Sequence, residues 1–150
     1  MKLDPLFTIN NNKLCNISDN SEVDMSTIKR IELPWTTVEL ESESYNEEYL
    51  ANLRDQLKEM EENNTFAIIV PIVDKHIEED EDSENSEEAF INACNHSARR
   101  IKDCVSVVGF EIPVEVQDPQ AFRDTLNKKH SQYIYFTKKE NTSLDGVISY

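Results

Sequence analysis

At 150 residues, with 38% hydrophobic and 30% charged side chains, the chain is long enough for one domain with a substantial core. Thirty acids against 15 bases leave a net charge of −15, which argues against nucleic-acid phosphate or an anionic membrane surface as the main partner. No segment approaches ~20 consecutive apolar residues, and the two glycines, Gly109 and Gly146, are too few for a phosphate-cradling loop or a dinucleotide fingerprint.

Leu6–Ile9 and Lys13–Ile17 flank Asn10-Asn11-Asn12 and read as a short hairpin, because asparagine tolerates the positive φ of a tight turn. Residues 1–12 lack an apolar core of signal-peptide length, so a cytoplasmic location is expected, or secretion if a leader has been cleaved away. Ser18–Ser26 is polar and reads as a loop. Ile28–Leu33 reads as a strand stopped at Pro34-Trp35. Ser44 or Asn46 can cap the next helix, and Ser44 with Glu47 fits a capping box. Tyr49, Leu50, Leu53, Leu57 and Met60 recur at helical spacing and predict one apolar stripe.

Thr65–Val73 is nearly continuous in apolar residues, the pattern of a parallel strand covered on both faces. Pro71 within it predicts a strand end or a bulge. The run Ile77–Glu88 holds eight acids and is expected to be a solvated loop. It lacks the spacing and turn glycine of a calcium loop. Ser86 can cap a second helix reaching about Asp103, with Phe90, Ala93, Cys94, Ser97 and Ile101 inward. Ser106–Ile112 is the third strand. Asp118 as N-cap and Pro119 at the first helical position open a third helix, with Phe122 and Leu126 inward. Gln132–Phe136 is the fourth strand, and Gly146–Tyr150 can add a last short one.

The pattern β-α-β-α-β-α-β predicts an α/β fold with a parallel sheet and right-handed crossovers. Pro34, Pro71 and Pro113 each lie near a strand end, at the spacing of a barrel unit. The expected architecture is a partial (β/α) barrel-like parallel sheet with flanking helices. The alternative is a compact, doubly wound three-layer α/β domain. We expect one domain, with a hairpin and loop over 1–27, the core over 28–137 and a tail over 138–150. Open sheet edges would make a homodimer through those edges a candidate assembly.

The three cysteines, Cys15, Cys94 and Cys104, have no CxxC spacing, so neither a disulfide framework nor a zinc site is expected. No metal and no cofactor is expected. In parallel α/β folds the site lies at the carboxyl ends of the strands. Those ends bring Glu32 and Trp35, then Asp74 and His76, then Glu111 and Glu115. In an extended chain Glu111, Pro113 and Glu115 point to one side, and paired carboxylates there can share a proton. The plainer expectation is solvated loop acids, a surface His76 and a packing role for Trp35.

SARRIKDCVSVVGFEIPVEV resembles the fourth-strand region of clan-A glycoside hydrolases, the cellulase and mannanase type of barrel. In that family a helix ending in A-x-R-[YI]-K-D leads to VVGFE[IL]-x-N-E-P. Ala98, Arg100, Lys102-Asp103, Val107–Ile112 and Glu115 match in register. The family's Asn-Glu-Pro triplet stands here as Val114-Glu115-Val116. LRDQLKEMEENNTFAIIVPIVDKH is similar to the third-strand unit, which places His76 on a substrate-contacting histidine. IKRIELPW resembles the second-strand VRIP motif, with Glu32 in place of its arginine. The resemblance spans about Thr27–Phe136. It implies Glu115 as catalytic acid/base and His76 as a substrate contact, and with the strand-end residues Trp35, Asp74 and Glu111 these make up the expected site for a β-linked oligosaccharide. It also implies a missing nucleophile, because the family carries that glutamate on the seventh strand.

Three functions follow as expectations. The first is a glycoside-hydrolase-like partial barrel, catalytically incomplete as a single chain, that holds carbohydrate. The second is a non-enzymatic acidic α/β protein-interaction module. The third is a glycosidase completed by a second chain or a longer parent.

Overall fold

A computed structural model describes residues 5–41, 44–74, 83–138 and 147–149, with side chains from 87 onward in the third of these. The chain opens with strands β1 (Phe7–Asn10) and β2 (Lys13–Asn16), paired antiparallel from Phe7↔Asn16 to Asn10↔Lys13. Asn11 and Asn12 make the two-residue turn at φ 54° and 60°, the left-handed geometry that such a hairpin demands.

Five strands then form one parallel sheet. They are β3 (Lys29–Pro34), β6 (Ala67–Ile72), β7 (Val107–Glu111), β8 (Ile134–Thr137) and β9 (Val147–Ser149). Their spatial order is their chain order, and every pairing is parallel. A doubly wound sheet would reverse direction at a switch point. This one never does, so it is a barrel-like α/β sheet that runs through five strands. Between β3 and the first long helix lie elements that the sequence reading did not separate: a single helical turn α1 (Trp35–Val38), then the short ribbon β4 (Glu39–Glu41) with β5 (Ser44–Tyr45).

The long helices are α2 (Glu47–Glu62), α3 (Ser83–Arg100) and α4 (Pro119–Asn127). They cover one face of the sheet. Leu50, Leu53, Leu57 and Met60 of α2, Phe90, Ala93, Cys94 and Ala98 of α3, and Phe122 and Leu126 of α4 join Leu33, Ala67, Ile69, Val107, Phe110 and Tyr135 in one buried cluster. Fully burying such a side chain contributes about 1.5–3 kcal/mol, so this layer dominates the stability. The opposite face carries Ile68, Val70, Val108, Phe136 and Ile148, and the N-terminal hairpin covers it with Phe7 and Leu14. That face is the one a closed barrel would enclose.

The helix ends follow local chemistry. Asn46 caps α2, its side-chain oxygen accepting from the Tyr49 amide at 3.1 Å. Ser44 lies in β5 instead, so the expected capping box does not form. Asp118 caps α4 by accepting from the Ala121 amide at 3.0 Å, with Pro119 at the first position, as the sequence predicts. Ser86 is not a cap, because α3 begins at Ser83. The acidic run is therefore not a loop throughout. Its second half is helical, where carboxylates favour the positive end of the helix dipole. Residues 77–82 lie outside the described residues. At its other end α3 stops at Arg100, and Ile101–Asp103 form a turn rather than helix.

Two details fix the sheet. Ala67 aligns with Val107 but Ile68 with Gly109, so β7 carries one extra residue. This bulge lets Val107 and Phe110, three apart, both face the helices. Pro71 pairs only with β3, since the β6–β7 ladder has ended at Ile69↔Phe110. At the other edge the Asn12 amide binds Ser149 as a strand would. Its Oδ1 accepts from the Ser149 N–H and its Nδ2 donates to the Ser149 carbonyl, both at 3.0 Å.

Candidate functional site at the carboxyl rim of the sheet

Parallel strands deliver their last residues to one rim, and the candidate residues from the sequence gather there. Glu111 closes β7 with only 8% of its surface exposed. Its Oε1 accepts from Arg30 Nη2 at 2.6 Å, a charge-assisted bond between residues 81 apart. The register explains the meeting. Arg30 aligns with Ile68, and Ile68 with Gly109, so Arg30 and Glu111 share the hairpin-facing side and reach each other across β6. The sequence reading missed Arg30. Its signal was parity: the arginine that resemblance lacks at Glu32 stands two residues earlier, on the same side of the strand.

Glu115 is exposed, on a turn closed by the Val116 N–H donating to the Pro113 carbonyl at 3.1 Å. The expectation of an extended segment with Glu111, Pro113 and Glu115 on one side does not hold. The strand ends at Glu111, and the turn leaves Glu111 and Pro113 buried and Glu115 in solvent.

Asp74, just past β6, is also exposed. It binds Thr36 through both carboxylate oxygens, accepting from the amide at 2.9 Å and from the hydroxyl at 2.5 Å. This ties the end of β6 to α1. Trp35 is 5% exposed. Its indole N–H donates to Glu39 Oε1 at 2.8 Å, and its ring meets Phe90 edge-on at 5.2 Å. The indole is thus enclosed by protein and turns no open face to solvent. Glu32 is exposed. His76 lies outside the described residues.

The rim therefore offers a buried carboxylate bonded to a guanidinium, a second engaged by Thr36, and a third free in solvent on a turn. Among the described residues no group of three His, Cys, Asp or Glu side chains is placed to hold a metal. No described helix is long and apolar enough to cross a membrane. The cysteines are free and buried. Burial pushes the Cys104 thiol up to about 11 and raises Cys94 further.

No protein-family model matches the chain, and no curated protein matches it. Among solved structures it is similar to the crystal structure of a GH5_18 from Bifidobacterium longum subsp. infantis, with 10% sequence identity and a TM-score of 0.50. The likeness covers 72% of this chain and 33% of that one, so this chain spans about a third of that protein's length. At that identity the likeness concerns the fold alone, and the fold it supports is a partial (β/α) barrel-like sheet.

Proposed function

We propose that this chain is a glycoside-hydrolase-like partial barrel that is catalytically incomplete by itself and acts as a binding module. The observation that carries this reading is the placement of the hairpin. Phe7 and Leu14 occupy the sheet face that a closed barrel would enclose. A chain that fills its own barrel interior has no room there for three further strands. The rim agrees with this. Retaining hydrolysis needs two carboxyl groups about 5–5.5 Å apart across the scissile bond. Here Glu111 is engaged by Arg30 and Asp74 by Thr36, while Glu115 stands on an exposed turn. The sheet edges support a single chain in solution. Asn12 blunts β9, and β3 presents Lys29, Arg30, Glu32 and Pro34, residues that oppose strand addition.

A second reading is favoured by the likeness to the GH5_18 structure: the rim holds a β-linked oligosaccharide without cutting it. Glu115, Asp74, His76 and Glu111 are then the contacts, and Trp35 shapes the rim from beneath rather than stacking on a sugar. Both readings are tested by titrating β-linked oligosaccharides into the protein by calorimetry and assaying the same mixtures for new reducing ends. The module reading expects no cleavage. Binding lost in Glu115→Gln, again without cleavage, would support the carbohydrate reading. Cleavage by the single chain, abolished by Glu115→Gln, would overturn the proposal.

A further inference from the structure

The sharpest departure from the chain's average chemistry lies away from the rim. The helices run antiparallel to the strands, so α2 and α3 end at the amino side of the sheet. There an open groove of about 800 Å³ is lined by Arg54, Lys58, Arg99, Arg100, Lys102 and Asp103, with Glu61 and Val105 completing it. Five of the 15 basic residues of a chain with 30 acids thus gather in one place beside two acids. Part of that charge is spent internally. Arg54 grips the Asp103 carboxylate at 2.6 and 3.3 Å, which holds that carboxyl below its usual range. Lys58 donates to the Asp103 carbonyl at 2.7 Å and pairs with Glu61 at 3.2 Å. Arg100 pairs with Glu47 at 2.6 Å. Arg99 and Lys102 remain exposed and pair with no carboxylate among the described residues.

We infer that this groove is a docking surface for a short acidic peptide segment of a partner protein. Two exposed cations, Arg99 and Lys102, share one open groove with the Arg54–Asp103–Lys58 network. The groove is about 800 Å³ in volume, room for several residues of an extended chain whose carboxylates complement these cations. The occupant must be short. Charges interact over about 8 Å at physiological salt, so a short segment feels the local positive groove. A duplex, with one charge per ~1.7 Å, meets the field of the other acids as well. The surface is separate from the rim, so it stands or falls independently of the proposed function.

The test is fluorescence anisotropy with a labelled oligo-glutamate peptide at low ionic strength, beside an uncharged peptide of equal length and an oligonucleotide of equal charge. The glutamate peptide is expected to bind, to weaken steadily with added salt, and to outcompete the oligonucleotide. The Arg99→Glu/Lys102→Glu variant should bind about tenfold more weakly. Lys128→Glu/Lys129→Glu makes the same charge change in the exposed turn just after α4, outside the groove, and should bind within about twofold of the parent. Arg99→Ala/Lys102→Ala gives the milder version if the reversal disturbs folding, as circular dichroism would show. Absence of binding at low salt, equal losses in the two reversal variants, or tighter binding of the oligonucleotide would overturn the inference.

Discussion

Replacing Gly109 with alanine tests how closely the middle of the sheet is built. An ideal Cβ at this position overlaps the Ile134 carbonyl oxygen. It lies 2.6 Å from the carbonyl carbon and 2.8 Å from the amide nitrogen, where ordinary contact begins at 3.4 Å. All three atoms are backbone, so no side-chain rotation relieves the clash. Strand β8 must retreat, and the pairings Gly109↔Ile134, Phe110↔Tyr135 and Glu111↔Phe136 lose their alignment. Overpacking of this kind costs about 1–3 kcal/mol. Two or three weakened backbone bonds add about 1 kcal/mol each. The expected loss is therefore about 3–6 kcal/mol, a large part of the roughly 5–15 kcal/mol that holds a domain together. In urea, at a slope of roughly 2 kcal/mol per molar, the unfolding midpoint followed by far-UV circular dichroism should fall by about 2 M. A loss below about 0.5 kcal/mol would show that β8 does not pass Gly109 this closely, and the sheet register argued above would be wrong.

The other predictions concern contacts far apart in sequence. Arg30→Met strips the buried Glu111 carboxylate of its guanidinium and should cost about 2–3 kcal/mol by thermal unfolding, with Glu111→Gln costing less; equal, negligible losses would remove the pair from the account. Asn12→Ala deletes both bonds to Ser149 and puts alanine at φ 60°, so the Ser149 amide should exchange much faster while amides in β6 stay protected. Hydrogen bonding by His96, then Arg100, lowers the Glu47 carboxyl, and Arg54 lowers Asp103 in the same way. Groups with depressed folded values stabilise above their unfolded values and lose that contribution as pH falls through the folded ones. The thermal midpoint should thus hold from neutral pH to about pH 5 and drop below about pH 4, and a drop on raising pH through the neutral range would contradict this. Native Cys94 and Cys104 should react with a disulfide reagent only slowly at neutral pH, since burial keeps both thiols protonated; rapid labelling in the folded state would mean the α2–α3 layer opens readily.

Much of the fold is legible in the chain because its signals are local. The apolar stripe of α2, the Asp118-Pro119 start of α4 and the Asn-Asn turn each depend on residues within a few positions. Where the reading slipped, two local signals competed. Ser44 and Asn46 both suit a cap, and the neighbouring ribbon took Ser44 into a strand. The bulge at Val108 left no mark, since an extra apolar residue in an apolar run reads the same either way. The site was legible in position but not in detail. Rim residues follow from strand ends, but the Arg30–Glu111 bond depends on register across three strands. Trp35 shows the same limit. A tryptophan at a strand end suits a sugar platform or a core anchor equally, and only Glu39 and Phe90 around it decide.

The central claim is that one chain covers the inner face of its own sheet. Methyl and aromatic NOE spectra of the isotope-labelled protein address it directly. Cross-peaks should link Phe7 and Leu14 to Ile68, Val108 and Ile148 within a single chain. If a mixture of labelled and unlabelled chains showed those contacts only between molecules, the hairpin would not close its own sheet, and a barrel assembled from two chains would replace the partial barrel described above.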